Sequence, residues 1–128
     1  MSAPRGKQPS LPDMTIDQLV ERFSDLALEQ DKALLGENIP RINQLSESIE
    51  EVKSELQGRE GDQRRALLRL YDHPNAQVRL KAVKATLAVE PVVARRMLEI
   101  IADSREYPQA GDAGMSILSL ERGIYKPK

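Results

Sequence analysis

The sequence predicts an all-α fold, an α-α superhelix of about six helices stacked as hairpins. Three observations predict it. First, apolar residues recur at spacings of three and four over most of the chain, and no run alternates with β-branched or aromatic residues. Second, the stretch LLRLYDHPNAQVRLKAVKATL, residues 67–87, reads as the end of one helix, a tight corner and the start of another. Third, that pattern recurs thirty-one residues later: Leu67 maps to Leu98, Leu70 to Ile101, Asp72 to Asp103, Ala82 to Ala113, Leu87 to Leu118 and Val89 to Leu120. Internal similarity at such a period is the signature of stacked helical hairpins.

Residues 1–13 hold three prolines, one glycine and polar residues, and read as a disordered tail ahead of a single domain at 14–123. An N-terminal hairpin is expected over 14–58. Thr15 opens its first helix, and Gln18, three residues on, completes a capping box. Ile16, Leu19, Val20, Phe23, Leu26, Ala27 and Leu34 share one face, and Gly36 stops the helix. Asn38 or Glu37 precedes the second helix, with Pro40 in its first turn. Ile42, Leu45, Ile49, Val52 and Leu56 form a narrow apolar seam along it. Gly58 and Gly61 bracket the next break.

A second hairpin is expected over 62–90. Asp62 caps a helix that runs to about Tyr71. Pro74 turns His73 away from the α region, and Asn75 caps the following helix, which runs from about Ala76 to Val89. A third hairpin is expected over 91–122. Pro91 starts one helix, carrying Val92, Val93, Met97, Leu98, Ile100 and Ile101, and Pro108 starts the last. Gly111 and Gly114 each cost that helix about 1 kcal/mol against alanine, a cost that close helix packing would explain. Residues 124–128 are expected to fray.

The second hairpin resembles a HEAT repeat through Pro74, Val78, Arg79 and Ala82. In such repeats an acidic residue usually stands six places before the arginine. Here that place is His73, with Asp72 one residue earlier, so the usual pairing is not provided. The third hairpin departs further, since Gln109 and Ala110 replace Val78 and Arg79. More widely, ALL at 33–35, RRALLRL at 64–70, DHPNAQVRLKAVKATLAVEP at 72–91 and IADSREYPQAGDAGMSILSLE at 101–121 resemble an uncharacterised bacterial family of short HEAT-like helical-repeat proteins, a domain-of-unknown-function family. The resemblance implies a HEAT/ARM-like, right-handed superhelix and a bacterial origin. It implies no substrate and no catalytic residues.

Composition narrows the function. The 128 residues are 30% charged and 3% aromatic, without Trp or Cys. Cysteine-based metal sites, thiol nucleophiles and a disulfide framework are thereby excluded. No stretch reaches the roughly 18 apolar residues of a membrane span, and the N-terminus lacks the apolar run of a secretory signal. A soluble cytoplasmic protein is expected. His73, the single histidine, has no Ser–His–Asp or Cys–His setting and reads as a structural residue of the corner. GDAG at 111–114 lacks the lysine of a phosphate loop. No catalytic residue, cofactor or metal site is expected.

Charge is unevenly spread. Residues 13–58 hold eleven acids against four bases, and residues 59–96 hold nine bases against four acids. Asp17, Glu21, Asp25 and Glu29 lie opposite the apolar stripe of the first helix, and Glu47, Glu51 and Glu55 do the same on the second. These seven are the candidate protein-binding acidic ridge, steering a basic partner. The candidate alternative surface is basic: Arg64, Arg65, Arg69, Lys81, Lys84, Arg95 and Arg96, with Arg79 taken up inside the repeat. A positive groove of that kind follows a nucleic-acid backbone, although no aromatics are interleaved for base stacking. The expected function is therefore non-enzymatic protein–protein interaction, with neutralisation of a partner such as a toxin as the role suggested by architecture and size. Nucleic-acid binding is the alternative, and self-association, acidic end to basic end, a third arrangement.

Overall fold

The structure is a computed structural model that describes residues 9–128. Among them the chain is helical throughout, with no strand. A 3₁₀ turn, Leu11–Asp13, precedes α1 (Ile16–Leu35) and α2 (Ile39–Gly58). A 3₁₀ helix, Gln63–Leu70, leads through the Pro74 corner to α3 (Ala76–Thr86). Helices α4 (Pro91–Asp103) and α5 (Gln109–Glu121) follow.

The expected caps are present. The Thr15 hydroxyl accepts from the Gln18 N–H at 3.1 Å, and the Gln18 side chain accepts from the Thr15 N–H at 2.8 Å, closing the capping box. Asn38 Oδ1 accepts from Arg41 N at 3.2 Å. Asn75 Oδ1 accepts from Gln77 N and Val78 N at 2.9 and 3.1 Å. Each cap satisfies donors that the first helical turn would leave orphaned.

The helix expected after Asp62 is 3₁₀ over its whole length rather than α. Its pattern explains this. Arg64, Leu67 and Leu70 are its buried residues, each three apart, and a helix of three residues per turn stacks them on one line. Eight residues is long for this geometry, and the line of burial on the first core holds it. Helix α3 ends at Thr86, earlier than Val89, and the chain closes there in a turn in which Val89 N donates a 3₁₀-type bond to the Thr86 carbonyl at 3.1 Å.

Two apolar clusters share α3. Val78, Ala82 and Ala85 face Leu19, Phe23, Leu45, Val52, Leu56 and Leu67 from α1, α2 and the 3₁₀ helix. Leu80, Val83 and Leu87 face Ala94, Leu98, Ile101 and Ala113 from α4 and α5. The internal similarity agrees with this layering as far as Ala113: Leu67 and Leu98, Leu70 and Ile101, and Ala82 and Ala113 are buried pairs. It lapses at the end of α5, where Leu118 is exposed while its counterpart Leu87 is buried. No further described helix packs over that face.

A buried amide ladder crosses the layers. Gln77 Nε2 donates to Gln30 Oε1 at 2.7 Å, and Gln109 Nε2 donates to Gln77 Oε1 at 2.9 Å. Gln30 Nε2 donates in turn to the Ser46 hydroxyl at 2.7 Å. One glutamine from each of α1, α3 and α5 thus fixes the relative height of the three helices. Asp31 extends the network, accepting from Asn75 Nδ2 at 3.1 Å.

Three further expectations are corrected. Of the expected disordered tail, residues 1–8 lie outside the described residues, but Leu11–Asp13 form a 3₁₀ turn. Leu11 packs against the core, and Arg59 Nη2 donates to the Leu11 and Met14 carbonyls at 3.1 and 2.8 Å. Residues 124–128 do not fray. Gly123, at φ +70°, turns the chain back, and the Lys128 main-chain oxygen accepts from Arg64 Nη1 at 2.9 Å and Gln57 Nε2 at 3.1 Å. Close packing does not account for the α5 glycines either. A Cβ at Gly114 would meet nothing within 4 Å, and one at Gly111 only Tyr107 Cδ1 at 3.9 Å.

Candidate functional site: the acidic faces of α1 and α2

The helical period places the seven acids on the outer sides of α1 and α2, and their environments then separate them. Asp17 is met by Arg69 at 2.6 Å, Glu29 by Arg41 at 2.7 Å and Glu55 by Arg59 at 2.7 Å. Glu55 is half-buried, and through Arg59 it fastens the Leu11–Met14 segment. It is a structural residue rather than part of a docking ridge, a correction to the sequence expectation. Glu21, Asp25, Glu47 and Glu51 are exposed and make no ion pair among the described residues. The two rows line separate depressions. One, of about 210 Å³, is bounded by Pro9, Met14, Gln18, Glu21, Arg22 and Asp25. The other, about 600 Å³ and shallow, is bounded by Glu47, Glu50, Glu51, Ser54 and Glu55.

The bases are disposed differently. Arg64 is buried, 4% exposed, and its guanidinium forks onto Asp62. It is withdrawn from the expected basic surface because the period of three turns it inward with Leu67 and Leu70. Arg65 pairs with Glu90, Lys84 with Asp112 and Arg95 with Glu121, at 2.7, 3.0 and 2.6 Å. Arg69 is taken by Asp17. Lys81 and Arg96 have no ion-pair partner among the described residues. Arg79 donates to the His73 carbonyl at 2.7 Å and pairs with Glu106 at 2.6 Å. The position six before Arg79 thus offers it a main-chain carbonyl rather than a side-chain acid. The His73 ring is structural as well, its Nδ1 accepting from Asn75 N at 3.0 Å.

Four protonation equilibria are displaced, and burial raises two of them, the Tyr71 and Tyr125 phenols, above their ordinary 10.0. Asp62 is held below its ordinary value of 3.8, chiefly by its hydrogen bonds from the Arg64 side chain. Lys81 is drawn below its ordinary 10.5, first by burial and then by Lys84, with Asp112 and Glu50 acting the other way. Among the described residues no three acidic, histidine or cysteine side chains gather to hold a metal ion, and no helix is long and apolar enough to cross a membrane.

The model of the family described as Domain of unknown function (DUF2019) matches residues 17–121, most of the chain. The chain belongs to the DUF2019 family. A solved structure is similar in fold: the protein RPA1889 from Rhodopseudomonas palustris CGA009 is 51% identical, with a TM-score of 0.90. The similarity covers 94% of this chain and all of that one. No curated protein matches. The fold of this chain is thus shared with that protein, and the family description carries no activity.

Sequence reasoning missed two features around these surfaces. The glutamine ladder was unreadable because an isolated Gln on a helix is ordinarily a surface residue. The docked C-terminal segment was unreadable because KPK carries no apolar periodicity. Tyr125, Pro127 and the inward turn of Arg64 hold it in place.

Proposed function

We propose that the protein is a non-enzymatic protein-binding module of HEAT-like repeats working in the cytoplasm, and that the acidic faces of α1 and α2 dock a basic partner. The observation that carries this reading is the contrast in pairing. Glu21, Asp25, Glu47 and Glu51 are exposed and without ion pairs among the described residues, whereas Arg64, Arg65, Arg69, Lys84 and Arg95 are engaged within the chain. Charge left over on a surface steers association, and charge already paired contributes little. The same contrast counts against a phosphate-following groove, which needs several adjacent unpaired bases. Neutralisation of a toxin-like partner fits this reading, since a small rigid scaffold with an acidic face can cover a basic active surface.

The test is capture from the native cell followed by mass spectrometry, comparing the natural chain with a variant carrying Glu21→Lys, Asp25→Lys, Glu47→Lys and Glu51→Lys. The reading expects a basic protein that the natural chain retains and the variant loses. Equal capture by both would remove the acidic faces from the function.

A further inference from the structure

The last helix ends the stack on a face that no described helix covers. The thirty-one-residue register sets Gly111, Gly114 and Leu118 where Leu80, Val83 and Leu87 stand one repeat earlier. Those earlier three are buried, and the layer of α4 and α5 packs on them. Their counterparts on α5 are exposed. Tyr107, 72% exposed, lies one turn ahead of Gly111, and Met115, 65% exposed, lies beside Gly114. At the helical period Tyr107, Gly111, Gly114, Met115 and Leu118 share one stripe, turned away from the buried Ala110, Ala113 and Ser116.

The stripe carries no charge. Helix α5 holds two charged residues, and both turn aside, Asp112 to Lys84 and Glu121 to Arg95. A terminal repeat that meets only water presents a polar outer face. This apolar face instead continues the layer contact that α3 makes one repeat earlier. The two glycines serve no contact within the chain, since a Cβ at Gly114 would meet nothing and one at Gly111 only Tyr107. They leave two hollows in a row of large side chains.

We propose that this face joins two copies of the chain about a two-fold axis, with α5 crossing its counterpart antiparallel and the axis passing between Gly114 and Met115. The order of residues along the stripe selects a second copy as the occupant. In that register Met115 enters the hollow at Gly114 of the second copy, and Leu118 enters the one at Gly111 of the second copy. The glycines let the two backbones approach closely. At each end the guanidinium of Arg122, which makes no ion pair among the described residues, reaches the exposed ring of Tyr107 of the second copy. Every contact occurs twice, as an isologous interface requires. The paired stripe runs from Tyr107 to Arg122, roughly 22 Å of helix at 1.5 Å per residue. One helix face of that length falls short of the roughly 800 Å² per partner in a standard interface, so the dimer is of the weak, reversible class. This surface is separate from the acidic faces of α1 and α2, so either proposal can fail without the other.

The first measurement is sedimentation equilibrium of the full chain from about 10 µM to about 1 mM, the range over which weak interfaces dissociate. The mass should rise reversibly toward that of a dimer. Gly114→Leu, which fills the hollow that takes Met115, should move dimerisation to about tenfold higher concentration at unchanged helicity. The second measurement reads the register and stands even if that variant misfolds. The chain has no cysteine, so single cysteines report without background. Under oxidation Gly111→Cys mixed with Leu118→Cys should give a cross-linked pair. Leu118→Cys alone should not, because its own copy lies about 10 Å further along the helix, beyond the reach of a disulfide. Dimerisation insensitive to Gly114→Leu, or Leu118→Cys linking to itself as fast as to Gly111→Cys, would overturn the proposal. So would a chain that stays monomeric at the highest concentration, which would leave the face to a different protein.

Discussion

Gln77 shows how single side chains set this molecule. It is buried, 6% exposed, yet both ends of its amide are used, one toward α1 and one toward α5. Replacing it with methionine would keep the volume, strand Gln30 Oε1 and leave Gln109 Nε2 only its 3.5 Å bond to Asp31 Oδ1. A buried group left without its partner costs about 1–3 kcal/mol, so Gln77→Met should lower unfolding stability by about that amount in urea titration. Asp62 acts at the other end of the hydrogen-bond scale. Its carboxylate is favoured in the folded state, so the stability it contributes is present above its ordinary value of 3.8 and is lost as pH falls through the lowered folded value. Asp62→Asn should therefore flatten the acid limb of the stability profile while leaving its neutral-to-basic limb in place. A chemical-denaturation series from neutral pH into the acid range checks this.

Helices were largely legible, and their exceptions have physical causes. Thr15, Asn38 and Asn75 cap as their sequence positions indicate, because a cap needs only local geometry. The 3₁₀ helix was not legible, because apolar residues at 67 and 70 fit either helix type. The inward guanidinium at Arg64 settles the period, and an arginine is ordinarily read as surface. The seven acids were legible as a helical face. The pairing that takes Glu55 out of it depends on Arg59 reaching the Leu11 and Met14 carbonyls, a contact between segments far apart in sequence. Leu70 anchors the 3₁₀ helix in the first core, and Leu70→Ala should cost about 2–5 kcal/mol, read as a lowered denaturation midpoint. Gly114 faces open space on α5 with nothing to accommodate. Gly114→Ala should stabilise the chain by roughly 0.5–1 kcal/mol, through the helix propensity alone. A destabilised Gly114→Ala would mean that α5 packs more closely than described.

At the scale of the whole molecule, α3 joins two cores, and the acidic N-terminal pair presents charge that the basic centre does not consume. Like charges at i,i+4 oppose each helix slightly, so reversing Glu21, Asp25, Glu47 and Glu51 to lysine should leave folding stability unchanged or slightly raised. The layered architecture was legible from the thirty-one-residue similarity; which charges stay unpaired was not, because pairs such as Arg69 with Asp17 join residues far apart in the chain. The central claim is that the unpaired carboxylates steer a basic partner. Its most direct measurement is the association rate with the captured partner across a salt series, natural chain against the fourfold reversal. The account predicts a slower on-rate and a shallower salt dependence for the reversal at equal helicity. An on-rate and salt slope identical to the natural chain would contradict it.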